Sequence, residues 1–343
     1  MRAIQCRAWG EIDNLVLADI QPPAEPGPGE VAISVAAAGV NFADLLMVAG
    51  KYQDRPIPPF VPGFEVAGRV RATGPGVTRV RPGDRVLAVL DRGGFAEAAL
   101  ADEESVFVLP AAMDFVTAAG FAIAYGTAHG SLVWRAALKP DELLLVLGAA
   151  GGVGLTGVEV GKALGARVIA CAGGEEKLAI AKAHGADHLI DYRTENLRSR
   201  LREIADGGGV DVVYDPVGGE NFEIALRSVN WSGRLVVVGF AGGKVQQIPA
   251  NILLVKNLSV HGLYWGSYRR QRPDLLPAAF AQMFGWWEGG KLKPRISARY
   301  DLGEAKTALS ALAGRRVTGK IVLTTELARA TGEAIMENRG AGR

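Results

Sequence analysis

Leu143–Gly154 reads LLLVLGAAGGVG, an apolar run that breaks abruptly into small residues. A short, continuous apolar run of this kind is a strand buried on both faces. Ala149-Ala150-Gly151-Gly152-Val153-Gly154 is then the turn into a helix, where side chains shrink so that backbone can approach a pyrophosphate at the helix N-terminus. Ala149 occupies the first place of the strict G-x-G-x-x-G pattern, so a tight turn without a ligand stays open on this stretch alone. The residues that follow favour a nucleotide. A helix over Leu155–Leu164, Gly165-Ala166 and a second buried strand over Arg167–Ala172 complete a βαβ unit. That strand ends in Gly173-Gly174, where an NAD site usually carries an acidic residue for the ribose hydroxyls. Two glycines leave room for a 2′-phosphate, and Lys177 is spaced to reach it, which favours NADPH over NADH. The alternative for Lys177 is a solvated charge beside Glu175 and Glu176.

A chain of 343 residues, 49% hydrophobic and 22% charged, has material for two domains with ample cores. The net charge of +2 is nearly balanced and the basic residues form no stripe, which argues against nucleic acid as a partner. No apolar run approaches a membrane span. The opening MRAIQCRAWG lacks the apolar stretch of a secretory signal, and the expected location is cytoplasmic. Cys6 and Cys171 lie in or beside expected strands and read as buried thiols, not a disulfide.

Taken in order, Met1–Ile20 reads as a hairpin turning at Glu11–Asn14, and the proline-rich Gln21–Gly29 as an extended connection. A strand over Val31–Ala38 leads to a short helix over Val40–Met47, with Asn41 near its start and Asp44 three residues on. Those two either cap the helix and anchor its loop or face a substrate. Gly50–Pro62 is irregular, because its prolines deny it both helix and ladder. Tyr52 in that loop either projects into a cleft or is an ordinary exposed aromatic. Strands over Gly63–Val70, Val86–Leu90 and Val106–Leu109 suggest a small irregular β-barrel ending near Pro110. Asp114–Trp134 reads as alanine-rich helix. Helices then alternate with strands through Val210–Tyr214 and Arg234–Val238, which implies a parallel sheet covered on both sides. Each strand ends in a small or polar segment, including Gly148, Gly173, Asp191-Tyr192, Asp215–Gly219 with Val217, and Gly239-Phe240, so these loops gather at one rim. Leu258–His261 is a sixth, edge strand. An aromatic region follows, strands return at Pro294–Tyr300 and Gly319–Leu323, and the polar residues beyond about Glu326 read as a frayed tail.

Five segments in this order, GVNFADLLMVAGKY (39–52), PGFEVAGRV (62–70), GAAGGVG (148–154), VYDPVGG (213–219) and GKIVL (319–323), resemble the quinone oxidoreductase branch of the zinc-independent medium-chain dehydrogenase/reductase superfamily. The resemblance spans Met1–Thr324. It implies an α/β fold in which a Rossmann doubly wound parallel sheet is inserted in a GroES-like β-barrel catalytic domain. The expected boundaries are 1–122 for the first catalytic part, 123–262 for the nucleotide domain, 263–328 for the returning part and 329–343 for a flexible tail. NADPH is implied in the cleft between the domains, as is a homodimer joined through edge strands of the nucleotide domains.

By the same resemblance Asn41, Asp44 and Tyr52 line the substrate side. Gly151, Gly152, Val153 and Gly154 match the pyrophosphate segment, and Gly173, Lys177 and Tyr192 the 2′-phosphate pocket. Thr127 at a helix start, Val217, Phe240 and Leu263–Trp265 match contacts along the rest of the cofactor, with core packing as the alternative for Phe240 and Trp265. Zinc-dependent relatives carry a cysteine near 38–41 and a His-Glu pair after Gly63, where this chain reads Ala38-Gly39-Val40-Asn41 and Phe64-Glu65. No metal is therefore expected. His184 and His188 have a metal-like spacing, but Gly185 breaks the helix between them, and exposed ring edges are the simpler expectation.

Without a Lewis acid, oxidising an alcohol is hard, whereas hydride addition to a quinone or enone needs only hydrogen-bond donors and a proton, from Tyr52 or water. The leading expectation is an NADPH-dependent quinone reductase. The alternatives are a reductase of α,β-unsaturated carbonyls or thioesters and a non-catalytic protein that binds NADPH or nucleic acid. Arg269, Arg270 and Arg272 could serve a long anionic substrate but read more simply as an exposed basic helix start.

Overall fold

Residues 1–19 form the expected hairpin: β1 (Arg2–Cys6) pairs antiparallel with β2 (Leu15–Asp19) in the computed structural model, which describes residues 1–315 and 317–331. The chain continues through β3 (Glu30–Val40), α1 (Phe42–Val48), β4 (Glu65–Thr73), β5 (Arg85–Val89), β6 (Ala98–Asp102), β7 (Val106–Val108) and α2 (Phe115–Ala119). Next come α3 (Ala122–His129), β8 (Leu143–Leu147), α4 (Gly152–Ala163), β9 (Arg167–Ala172), α5 (Glu175–Ala183), β10 (His188–Asp191), α6 (Leu197–Ile204), β11 (Val210–Asp215), α7 (Gly219–Arg227), β12 (Val229–Val237), α8 (Ala250–Lys256) and β13 (Ser259–Gly262). The last elements are α9 (Tyr268–Gln271), α10 (Leu276–Glu288), β14 (Ile296–Asp301), α11 (Ala305–Ala313), β15 (Lys320–Thr324) and α12 (Glu326–Ala330).

The chain divides into two units. The first comprises Met1–Ile123, Tyr268–Pro277 and the described residues from Pro294 on. Its main sheet runs β14-β15-β3-β4-β5-β7, with β6 added on β3, so strands from the two ends of the chain share one ladder. Ile321–Thr324 pairs antiparallel with Ala37–Val40, which places the end of the chain beside the helix that carries Asn41 and Asp44. Ile33, Val35, Met47, Val66, Phe95, Leu309 and Ile321 are among the residues of its core.

The second unit comprises Ala124–Ser267 and Ala278–Lys293. Its six strands lie in the order β10-β9-β8-β11-β12-β13, all parallel. This is the doubly wound arrangement, and its order reverses between β8 and β11. All five residues of β8 are buried, as the uninterrupted apolar run requires.

Several elements differ from the sequence expectation. The helical stretch from Asp114 breaks at Gly120, where a side chain would come within 2.7 Å of Ile296 Cδ1. It resumes as α3 and then widens into a π-helical turn over Gly130–Arg135. Ala278–Lys293 belongs with the nucleotide unit and not with the returning part expected over 263–328, because α10 packs there. Phe280 meets Trp265 edge-on with ring centroids 6.3 Å apart, and Gln282 bonds His129 at 2.7 Å. Glu326–Ala330 is helical with Ala328 buried, where the sequence suggested the start of a tail. The rest of that expected tail, 332–343, lies outside the described residues. Both cysteines are free and buried. Among the described residues no helix is long and apolar enough to cross a membrane.

Candidate functional site

The turn after β8 is shaped by what its glycines exclude. Gly148 has φ +62°, and a Cβ there would meet Val217 Cγ2 at 2.7 Å, so Val217 closes over the turn. A Cβ on Gly154 would lie 2.1 Å from the Gly148 carbonyl oxygen. Only glycine lets the first turn of α4 approach the strand end so closely. Farther along the same face, Gly157 rests on the Tyr214 ring and Gly161 on Leu144, which seats α4 flat on the sheet. The first intrahelical bond runs from Leu155 N to Gly151 O at 2.8 Å. The amides of Gly152, Val153 and Gly154 thus precede the helix ladder and point out of its N-terminus.

At the end of β9, Gly173 leads to Gly174, which has φ +97° and caps α5. Lys177 lies in the first turn of that helix. Tyr192 leaves β10 alongside, half-exposed, and a Cβ on Gly173 would come within 2.7 Å of its hydroxyl. Arg193, which carried no sequence motif, covers the same glycine, with Nε also 2.7 Å from that position. Only an alignment of the two strand ends could have singled it out.

Asp215 ends β11 with a buried carboxylate that accepts the Val217 and Gly218 N–H groups, each at 2.8 Å, and the Gln246 amide at 3.3 Å. Burial pushes its pKa up to about 6 against those hydrogen bonds. Its role is to fold the rim loop that presents Val217. Phe240 follows β12 and is exposed. Leu263 is buried and donates its N–H to Val237 O at 3.0 Å. Trp265 is only 4% exposed, filling the space above Gly126 and Gly130, and its indole N–H has no partner among the described residues. Thr127, expected at a helix start, instead stands near the C-terminal end of α3 and is buried.

In the first unit, Asn41 and Asp44 come together, but their polar atoms turn inward. Asp44 accepts the Asn41 N–H at 2.8 Å and the Gly63 N–H at 3.0 Å, so it ties the start of α1 to the strand-leading loop. Burial pushes its pKa up to about 7, with the two N–H groups and Lys320 opposing. The Asn41 side chain donates to Glu65 Oε1 at 2.9 Å and to Gly39 O at 3.3 Å, and accepts from Lys320 Nζ at 2.6 Å. The buried Lys320 ammonium also donates to Glu65 Oε1 at 2.9 Å and Val40 O at 3.0 Å, while Glu65 Oε2 accepts the Ile123 N–H at 2.8 Å. Three acceptors for three N–H bonds leave the ammonium satisfied. Lys320 was missed, although a lysine inside an apolar strand was the available signal. Tyr52 is half-buried, its ring edge-on to Phe64 at 5.1 Å between centroids.

Two expectations need correction. His184 is not an exposed ring edge: its Nδ1 lies 2.5 Å from Glu159 Oε1, and the same buried carboxylate accepts the Tyr125 hydroxyl. Arg269 is not an exposed helix start, since it is buried, bonded to Val89 O and paired with Asp91 at 3.2 Å.

The described geometry agrees with comparisons to known proteins. Residues 27–111 match the alcohol dehydrogenase GroES-like domain and residues 152–281 the zinc-binding dehydrogenase family. The quinone oxidoreductase-like protein 2 homolog of Nematostella vectensis is 40% identical over 95% of this chain and 89% of its own length. Quinone oxidoreductase of Pseudomonas aeruginosa is 39% identical over 94% of this chain and 99% of its own. The crystal structure of Escherichia coli quinone oxidoreductase complexed with NADPH superposes with a TM-score of 0.88 at 32% identity, covering 94% of this chain and all (100%) of that one. Identity at this level over nearly the whole of each chain places the protein in the quinone oxidoreductase branch of the medium-chain dehydrogenase/reductase superfamily.

Proposed function

We propose that this oxidoreductase uses NADPH to reduce a quinone by direct hydride transfer, without zinc. The observation that carries the proposal is the β8–α4 turn, where glycines bring backbone N–H groups to a helix N-terminus. Bound there, NADPH supplies a hydride from C4 of its nicotinamide. The amides of Gly152, Val153 and Gly154 hold the pyrophosphate, with Gly151 keeping the approach open. Gly173, Lys177 and Tyr192 receive the 2′-phosphate, and Val217, Phe240, Leu263, Trp265 and Thr127 flank the remaining length of the cofactor.

The sequence lacks the donor set a catalytic zinc would need, because Phe64 stands in the histidine position and Asn41 is bonded to Lys320. A quinone needs no such ion: hydride addition gives a delocalised phenolate that requires hydrogen-bond donors and a proton. Tyr52 supplies the proton, directly or through water, while Asn41 and Asp44 fix the loop that carries it. An acyl-thioester substrate is less well served, since of the arginines that could have met its phosphates Arg269 is buried and paired with Asp91, Arg270 is paired with Asp91 and Arg272 with Asp274. The proposed assembly is a homodimer through β13, the edge strand of the parallel sheet, beside which α8 exposes Leu254 by 79% and Val255 by 75%.

Steady-state NADPH oxidation with a simple quinone and with an α,β-unsaturated ketone tests the proposal. Turnover of the quinone without added metal, undiminished by a chelator, is expected. Preference for the enone would reassign the acceptor, and tight NADPH binding without turnover of either would leave only a binding role.

A further inference from the structure

We propose that Arg193 joins Lys177 and Tyr192 in telling NADPH from NADH, an inference that rests on the dinucleotide site above. β9 and β10 run parallel with Ala172 opposite Asp191, so Gly173-Gly174 and Tyr192-Arg193 leave the sheet side by side. A Cβ on Gly173 would lie 2.7 Å from both Arg193 Nε and the Tyr192 hydroxyl, and one on Gly174 3.4 Å from Arg193 Nη1. The guanidinium therefore spreads over both glycines, with the phenol beside it.

This cation is not consumed by the protein. Among the described residues the Arg193 guanidinium makes no hydrogen bond and no ion pair, and the acids nearest in sequence are committed elsewhere. Asp191 Oδ1 accepts the Arg193 backbone N–H at 2.9 Å. Glu195 accepts the Asp191 N–H and pairs with Arg200, each at 2.7 Å. A planar fork of N–H donors without a counter-ion, set beside a phenol above backbone that carries no side chains, suits the oxygens of a phosphate monoester. The first turn of α5 brings Lys177 together with two acids, Glu175 and Glu176, so a dianion there gains from a further cation. NADH would place a hydroxyl under the same guanidinium, where glycines at 173 and 174 offer no carboxylate to receive it.

Titration calorimetry with NADPH, NADH and 2′,5′-ADP on the wild type, Arg193→Ala and Arg193→Lys provides the test, and it needs no turnover. Arg193→Ala is expected to weaken NADPH and 2′,5′-ADP by roughly ten- to a hundredfold and NADH by less than about twofold, with lysine restoring part of the loss. The NADPH loss should shrink at high salt, as befits an exposed charge. Because Arg193 is exposed, an unchanged melting temperature is expected and separates recognition from folding. Equal weakening of NADPH and NADH, or no weakening of either, would overturn the assignment to Arg193 while leaving the dinucleotide site intact. Failure of the wild type to bind any of the three ligands would overturn the site itself and Arg193 with it.

Discussion

The rim of the parallel sheet is defined by side chains that are missing, and the polar cluster around Asn41 by side chains that converge. At the rim, Gly148, Gly154, Gly173 and Gly174 clear space, backbone N–H groups precede the α4 ladder, and the Arg193 guanidinium spends no donor on the described residues. Around Asn41 the opposite holds, since Lys320, Glu65 and Asp44 are buried and meet one another or backbone. A region that keeps its donors unspent is suited to a ligand; one that spends them internally is suited to holding a shape. The proposed function accordingly puts recognition at the first region, while the second ties Asn41 and Asp44 to Gly63, just past the loop that carries Tyr52.

The sharpest way to break this contrast is to remove the cation from the satisfied cluster. Lys320→Met leaves Glu65 buried without its counter-charge, and unfolding in urea should show a loss of about 3–5 kcal/mol. Lys320→Met combined with Glu65→Gln should recover part of that loss, because the buried charge leaves with its partner. A loss below about 1 kcal/mol for the single variant would mean that the pair behaves as a surface salt bridge and that the cluster holds nothing in place.

How legible each region was follows from the same contrast. The run LLLVL, the small turn and the alternation of helices with strands are local patterns, so the parallel sheet, its sixth strand and the glycine-rich turn could be read directly. Asn41, Glu65 and Lys320 lie far apart in sequence, and only the pairing of β15 with β3 brings the lysine under the amide. Capping by Asn41 and Asp44 was foreseeable from their spacing, but the destination of the amide was not. Trp265 stood open between cofactor contact and core, and its seat above Gly126 depends on a close approach that no spacing encodes. The single stretch of helix expected after Asp114 failed because Gly120 faces a side chain from the far end of the chain.

The two buried carboxylates give the contrast a pH dependence. Asp44 in the satisfied cluster is raised to about 7, and Asp215 beneath the rim loop to about 6. Both folded values lie above those of the unfolded chain, so between roughly pH 4 and 7 these two groups hold more protons in the folded state and their contribution to stability falls as pH rises. For Asp44 the fall should amount to about 2–4 kcal/mol across that window, levelling off above its folded pKa. Asp44→Asn should flatten the slope up to about pH 7, and Asp215→Asn only its part below about pH 6. Urea midpoints measured across the window distinguish the two. An Asp44→Asn slope that matches the wild type would show that the backbone N–H groups on Asp44 offset its burial.

Within the rim, Gly154→Ala tests whether close approach matters more than composition. Its Cβ would meet the Gly148 carbonyl at 2.1 Å, so the helix must withdraw. Overpacking of this kind costs about 1–3 kcal/mol of stability, and NADPH affinity should fall with it. Gly151→Ala is the control, because a Cβ there meets its nearest atom at an ordinary 3.5 Å. Equal losses from the two substitutions would mean that the turn tolerates side chains generally and that its glycines are not shaped for a ligand.

The smallest expected effect lies where the satisfied cluster hands over to chemistry. Tyr52 packs its ring against Phe64, so Tyr52→Phe keeps the packing and removes only the hydroxyl. If that hydroxyl delivers the proton after hydride transfer, kcat should fall about tenfold, the modest value reflecting replacement by water. NADPH affinity should be unchanged, since Tyr52 is not among the residues proposed to hold the cofactor. The change in the pH profile is the decisive readout, because a variant that relies on water loses the limb set by the tyrosine, whereas a merely structural hydroxyl would lower the rate at every pH alike. An unaltered kcat and profile would assign the proton to solvent and leave Tyr52 as part of the wall beside Phe64.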